Sequence, residues 1–170
     1  MTQHQGSSKP ATFEHHDTVE KLLLWAIRIW VKSLQNKTNA HGVLSACFRQ
    51  AGATDAHIAF DGMMSIITNF ASRQIDVRCP KCPNTSSDEM RMVGAIAARQ
   101  NQTDPLIADE ILGPLVQPAG LRLLREPVMN LAEALLIAEL LVRPSHKPSS
   151  DIADNLEIEP DYGDDFVTIH

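Results

Sequence analysis

Apolar residues recur every three or four positions through most of the chain between Val19 and Val142, the spacing of helices that bury one face. Asp17 and Glu20 stand at capping-box spacing and open a first helix. Its apolar stripe is Val19, Leu22, Leu23, Ala26, Ile27, Trp30 and Leu34, while Trp25 and Ile29 lie off it, so the helix is expected to be gripped on more than one side. Asn39 caps a short second helix with Val43, Leu44, Cys47, Phe48 and Ala51 on one face, and Gly52 stops it. Thr54 or Asp55 caps a third, which runs to about Ser72 with Ala56, Phe60, Met63, Ile67 and Phe70 inward and His57, Asp61, Ser65 and Thr68 outward. Ser86 and Glu89 again have capping-box spacing and start a fourth helix near Ser87 that reaches about Asn101. Its Gly94, Ala95, Ala97 and Ala98 let another backbone come close, which places it centrally.

Asp104 followed by Pro105 opens a short fifth helix that Gly113-Pro114 ends. From Val116 to Pro127 the pattern is ambiguous: Leu121-Arg122-Leu123 alternates like a strand without a partner, so a turn or irregular helix is expected. Asn130 and Glu133 cap a final helix through about Arg143, apolar nearly all round and hence buried in the bundle or shared with a partner. The expectation is an all-α fold, a single compact bundle of about six helices over residues 17–143. A flexible tail, 1–16, precedes it, and an acidic, Ser/Pro/Asp-rich tail without periodicity, 144–170, follows it as a disordered segment.

Composition narrows the function classes. The chain's 170 residues can bury a core without disulfide or metal staples. Its net charge of -6 argues against broad nucleic-acid or anionic-membrane binding, since both need a basic footprint. Three cysteines are too few for a secreted disulfide framework. Met1–His16 lacks an apolar signal core, and the apolar run Leu131–Val142 is too short and too charged to span a bilayer. The expected compartment is the cytoplasm, where thiols stay reduced.

The segment RCPKCPNTSSDEM, residues 78–90, carries the most distinctive chemistry. Four readings are open for Cys79 and Cys82. The prolines supply turn geometry by fixing φ and removing donors, and the cysteines then merely pack inward. Alternatively the pair is a zinc half-site, because thiolates three residues apart converge on one tetrahedral ion. Cys47 and His41, with His57 behind them, are the candidate remaining ligands, although Cys47 sits on an apolar stripe and the histidines fit an exposed surface. Two chains would also complete a site with four thiolates. Third, the pair closes a small disulfide and acts as a thiol switch flanked by Arg78 and Lys81. Fourth, a Cys-Pro step offers an axial thiolate to haem.

Other signals are weaker. The turn Gln50–Thr54 between the second and third helices invites a helix-turn-helix reading, yet Asp55 and Asp61 on the following helix repel phosphates. His15-His16 falls in the expected tail. There is no nucleophile elbow, phosphate loop or H-E-x-x-H motif, and Glu133 and Glu139 project on different faces, so no catalytic residue is assigned. Arg122, Arg125 and Arg143 form a small basic patch that would suit an acidic peptide, the chain's own tail among the candidates. The expectation that collects these points is a non-enzymatic regulatory or adaptor protein. It binds a protein partner or itself, as a homodimer, through the last helix and the Trp-bearing first helix. Zinc or no cofactor at all is expected at the CPKCP loop. A small thiol redox enzyme using Cys79 and Cys82, and a DNA-binding regulator, are the alternatives.

Overall fold

A computed structural model describes residues 17–101, 104–143 and 166–169. The expected all-α bundle is the architecture found. Its helices are α1 (Thr18–Gln35), α2 (His41–Gln50), α3 (Ala56–Asn69), α4 (Ser87–Gln100), α5 (Pro105–Leu112) and α6 (Pro118–Ile137). Two short strands, β1 (Ile75–Arg78) and β2 (Phe166–Ile169), pair antiparallel. The expected N-terminal tail, with His15 and His16, lies outside the described residues.

Local chemistry sets most helix ends. Both capping boxes form: Asp17 with Glu20 starts α1, and Ser86 with Glu89 starts α4. Asn39 Oδ1 accepts the His41 amide at the head of α2, and Gly52 ends that turn at φ +84°, a left-handed conformation open to glycine without steric cost. Asp104 caps α5 with Pro105 in its first turn. The core is one cluster that includes Leu23, Ile27, Phe48, Phe60, Met63, Ile67, Met92, Ile96, Leu131 and Leu135. The small-residue helix α4 lies at its centre and packs against α1, α5, α6 and β1.

Three segments differ from the expected pattern, each for a physical reason. First, α6 is continuous from Pro118 to Ile137, with Pro127 inside it. A proline removes one helical hydrogen bond and crowds the preceding turn, and tertiary packing outweighs that here. Gly62 on α3 faces this point, and a Cβ there would lie at an ordinary contact distance, 3.6 Å, from Pro127 Cβ. Second, α6 stops well before Arg143 because Glu139 takes a left-handed φ of 59°. Gln100 then stitches the exiting chain onto α4, donating to Leu140 O at 2.8 Å and accepting from Val142 N at 2.7 Å. Third, the buried face of α1 is turned from the expected stripe. It includes Glu20, Leu24, Arg28 and Val31, while Leu34 is exposed. The reason is that α1 buries a charged residue, Arg28, against β1 and the head of α4.

Candidate functional site

β1 is a strand with two differently occupied edges. Ile75 and Val77 are fully buried beneath it. The Asp76 amide donates to Asp88 Oδ2 at 2.9 Å, the Arg78 amide donates to Glu89 Oε1 at 3.1 Å, and Ser86 Oγ donates to Asp76 O. Three side chains at the head of α4 therefore take the place of a neighbouring strand along that edge. Backbone groups of alternate residues point to opposite edges, so the Ile75 and Val77 amides and carbonyls face the other side. There β2 lies in register, Ile75 opposite Ile169 and Val77 opposite Val167, and it also runs against α1. Four residues of the C-terminal segment expected to be unstructured are thus a strand. The acidic-peptide patch proposed at Arg122, Arg125 and Arg143 is not where they lie, and Arg125 is engaged instead by Asp109, 2.6 Å away.

Directly after β1 the chain turns through the cysteine loop. The Cys82 amide donates to Cys79 O at 3.0 Å, a β-turn whose second position is Pro80. The two sulfurs are bonded to each other with Cα atoms 5.2 Å apart, inside the normal range for a disulfide. Both cysteines are half-buried and Lys81 between them is exposed. The adjacency that the spacing implied is therefore present.

What holds this loop is Arg28, which sequence reasoning did not single out. Its guanidinium donates to Cys82 O at 2.8 Å and Asn84 O at 2.9 Å, and meets Glu89 through Nε at 2.7 Å and Nη2 at 3.1 Å. Both side chains are fully buried. Glu89 also accepts the Ser86 amide at 2.8 Å. One bidentate pair thus ties together α1, the end of β1, the loop and the head of α4. Such pairs are strong when fully hydrogen-bonded and costly when broken.

A second pair flanks it. Asp88 receives two hydrogen bonds from Arg73, at 2.7 and 2.8 Å, besides the Asp76 amide. Burial pushes the Asp88 carboxyl up, but the Arg73 and Asp76 hydrogen bonds outweigh it and hold the group below its ordinary value. The Asp76 carboxyl moves the opposite way, raised by burial and by the Glu89 and Asp88 charges, with Arg78 opposing. A depressed carboxyl contributes stability that is present above the unfolded value, near pH 3.9, and is lost as pH falls through the folded one. Asp88→Asn is accordingly expected to lose about 1.5–3 kcal/mol at pH 7, the range for hydrogen bonds to charged groups. Its deficit against wild type should shrink on acidification below about pH 4. Asp76 carries a charging penalty of its own, and the part due to the Asp88 charge is removed in the variant. Matched urea midpoints at pH 7 would contradict the assignment.

The remaining candidate ligands are elsewhere. Cys47 is half-buried on α2, where burial pushes its thiol up and disfavours the thiolate. His41 lies beside His57, ring centroids 5.0 Å apart, and His57 Nδ1 is 2.7 Å from Thr54 O. Among the described residues no group of three or more His, Cys, Asp and Glu side chains is placed to hold a metal ion. The structure therefore brings Cys79 to Cys82 but does not bring Cys47 or His41 to that pair. The α2–α3 corner has no lysine or arginine on α3 to meet phosphate, and Trp30 Nε1 donates to Asp61 there at 2.8 Å. A recess near Arg99, Asp109 and Leu124 measures about 10 Å³, the room of one water. Of the two helix faces expected to bind a partner, α6 spends Leu124, Val128, Leu131 and Leu135 on the core, and both tryptophans of α1 pack against it. Among the described residues no helix is long and apolar enough to cross a membrane. Comparison with known proteins finds no matching family model, no matching curated protein and no matching solved structure.

Proposed function

We propose that this chain is a non-enzymatic regulatory or adaptor protein that binds a protein partner or itself, with the CPKCP loop acting as a thiol switch. The observation that carries the reading is the junction of β1 with the loop: a strand edge that accepts an extended segment runs directly into the Cys79–Cys82 disulfide. A strand edge is a general means of joining chains, because its unpaired backbone groups recruit another strand. Chemically the loop can exchange two electrons. An external dithiol opens the Cys79–Cys82 bond through a mixed disulfide and leaves as its own disulfide, and an external disulfide reverses the step. In the proposed cytoplasmic setting a disulfide is ordinarily transient and redox-sensing rather than structural. A zinc half-site at the same cysteines needs their reduced form and ligands from a second chain. Its test is elemental analysis under reducing conditions, where zinc in ratio to chain favours it.

The test compares oxidised and reduced protein for self-association and partner binding, with free thiols counted in each state. The expected result is unchanged helical content, a severalfold change in association between the two states, and a Cys79→Ser variant fixed in the reduced behaviour. Association that ignores thiol state removes the switch. Catalytic turnover of a disulfide substrate by wild type, absent in Cys79→Ser, replaces the whole reading with a thiol oxidoreductase.

A further inference from the structure

The edge of β1 formed by Ile75 and Val77 has the attributes of a peptide slot. Its floor is rigid, because Ile75 and Val77 are fully buried and the opposite edge is fixed by Ser86, Asp88 and Glu89. Two amides and two carbonyls point outward, and a two-stranded ribbon supplies the pairing that buried backbone requires. The occupant is the chain's own Phe166–Ile169, whose register sets Val167 and Ile169 opposite Val77 and Ile75. In antiparallel pairing the occupant enters at the Arg78 end, and the residues immediately before Phe166 in the sequence are Asp164 and Asp165. Arg78 and Lys81 lie at that end of β1, with Asp76 Oδ2 3.2 Å from Arg78 Nη2.

We infer that the β1 edge is a binding slot for an extended partner segment with acidic residues followed by alternating apolar ones, and that Phe166–Ile169 is its built-in competitor. This rests on the protein-binding reading above and names its surface and the chemistry of its partner. The physics of competition follows from connection. Residues 138–165, 28 in all, join α6 to β2, and a tether of that order holds a joined strand at an effective concentration of about millimolar. A free segment at micromolar concentration therefore enters only when the tail is detached or when the segment pairs better than the tail does.

The register makes the test specific. The Val167 amide faces β1, whereas the Thr168 amide faces away from it. Proline at 167 therefore removes a ladder hydrogen bond, while proline at 168 falls where an edge strand tolerates it. The probe is a fluorescent synthetic peptide with the sequence of residues 161–170, titrated into full-length wild type, Val167→Pro and Thr168→Pro. Expected is about tenfold tighter binding to Val167→Pro than to the other two. Amide exchange at Ile75 and Val77 should be faster in Val167→Pro and slow again when peptide is added. Since every helix lies outside the substituted strand, circular dichroism confirms that Val167→Pro keeps its fold. A peptide carrying asparagine at 164 and 165 should bind several-fold more weakly, with reduced salt dependence.

Equal affinity for all three proteins, or no peptide binding to Val167→Pro, overturns the inference. Equal affinity of the acidic and asparagine peptides also does so for the acidic flank. A wild-type dimer that Val167→Pro dissolves overturns it too, by giving the slot to a second copy. Redox-dependent association that survives failure of the peptide test leaves the adaptor reading standing without this slot.

Discussion

Arg28→Met is expected to lower stability by about 3–5 kcal/mol, the cost of leaving one partner of a buried ion pair uncompensated. A domain's whole stability is only about 5–15 kcal/mol, so this one substitution removes a large share. Methionine fills much of the space, and what is lost is charge and donors. Glu89 keeps its carboxylate with no exposure to water, and the Cys82 and Asn84 carbonyls lose their guanidinium donor. Arg28→Lys should recover little, because one ammonium cannot match a fork that reaches two carbonyls and both carboxylate oxygens. Adding Glu89→Gln to Arg28→Met should recover part of the loss. It removes the stranded charge while the amide oxygen still accepts from the Ser86 backbone. Urea midpoints for the two single variants and the double variant measure this. A loss below about 1 kcal/mol for Arg28→Met would mean that the pair is not the anchor of the loop. The same variant should loosen the loop locally, read as faster thiol–disulfide exchange at Cys79 and Cys82.

The parts of this arrangement were unequally legible in the sequence. Cap chemistry is local, so Asp17 with Glu20 and Ser86 with Glu89 marked the starts of α1 and α4 to the residue. The cysteine spacing alone implied that the two sulfurs could meet. By contrast, Glu89 reads as a capping residue and nothing more, because its second task depends on Arg28, far away in sequence. Arg28 itself sits among apolar residues of α1, where a charged residue reads as solvated. Ile75-Asp76-Val77-Arg78 alternates, but four residues are too few to separate a strand from a loop, and its partner lies at the far end of the chain. Pro127 gave a misleading boundary: the rule that proline ends helices is a local one, and the packing of α6 on α3 that outweighs it is not.

The same close contact of α3 with α6 makes Gly120→Ala destabilising, by about 1–3 kcal/mol for overpacking a well-filled contact. In a helix interior alanine is normally the better residue by about 1 kcal/mol, so the expected sign is the reverse of the propensity rule. The reason is position. A Cβ on Gly120 would lie 2.9 Å from Phe70 Cγ and closer still to Phe70 Cβ. Phe70 closes α3, its carbonyl accepts the Gln117 amide at the head of α6, and Ala71 bridges Val116 beside it. The two helices are thus held by backbone contacts next to the clash and cannot slide apart cheaply. Trimming the ring does not help, since the nearest atom is one that every residue except glycine carries. Phe70→Ala in the Gly120→Ala background should therefore leave the clash in place, whereas Phe70→Gly should relieve part of it despite its own loss of packing. Thermal midpoints of wild type and the three variants decide the matter. If Gly120→Ala alone raised the midpoint, helix propensity would have won and α6 would not approach α3 as closely as Phe70 and Gly120 require.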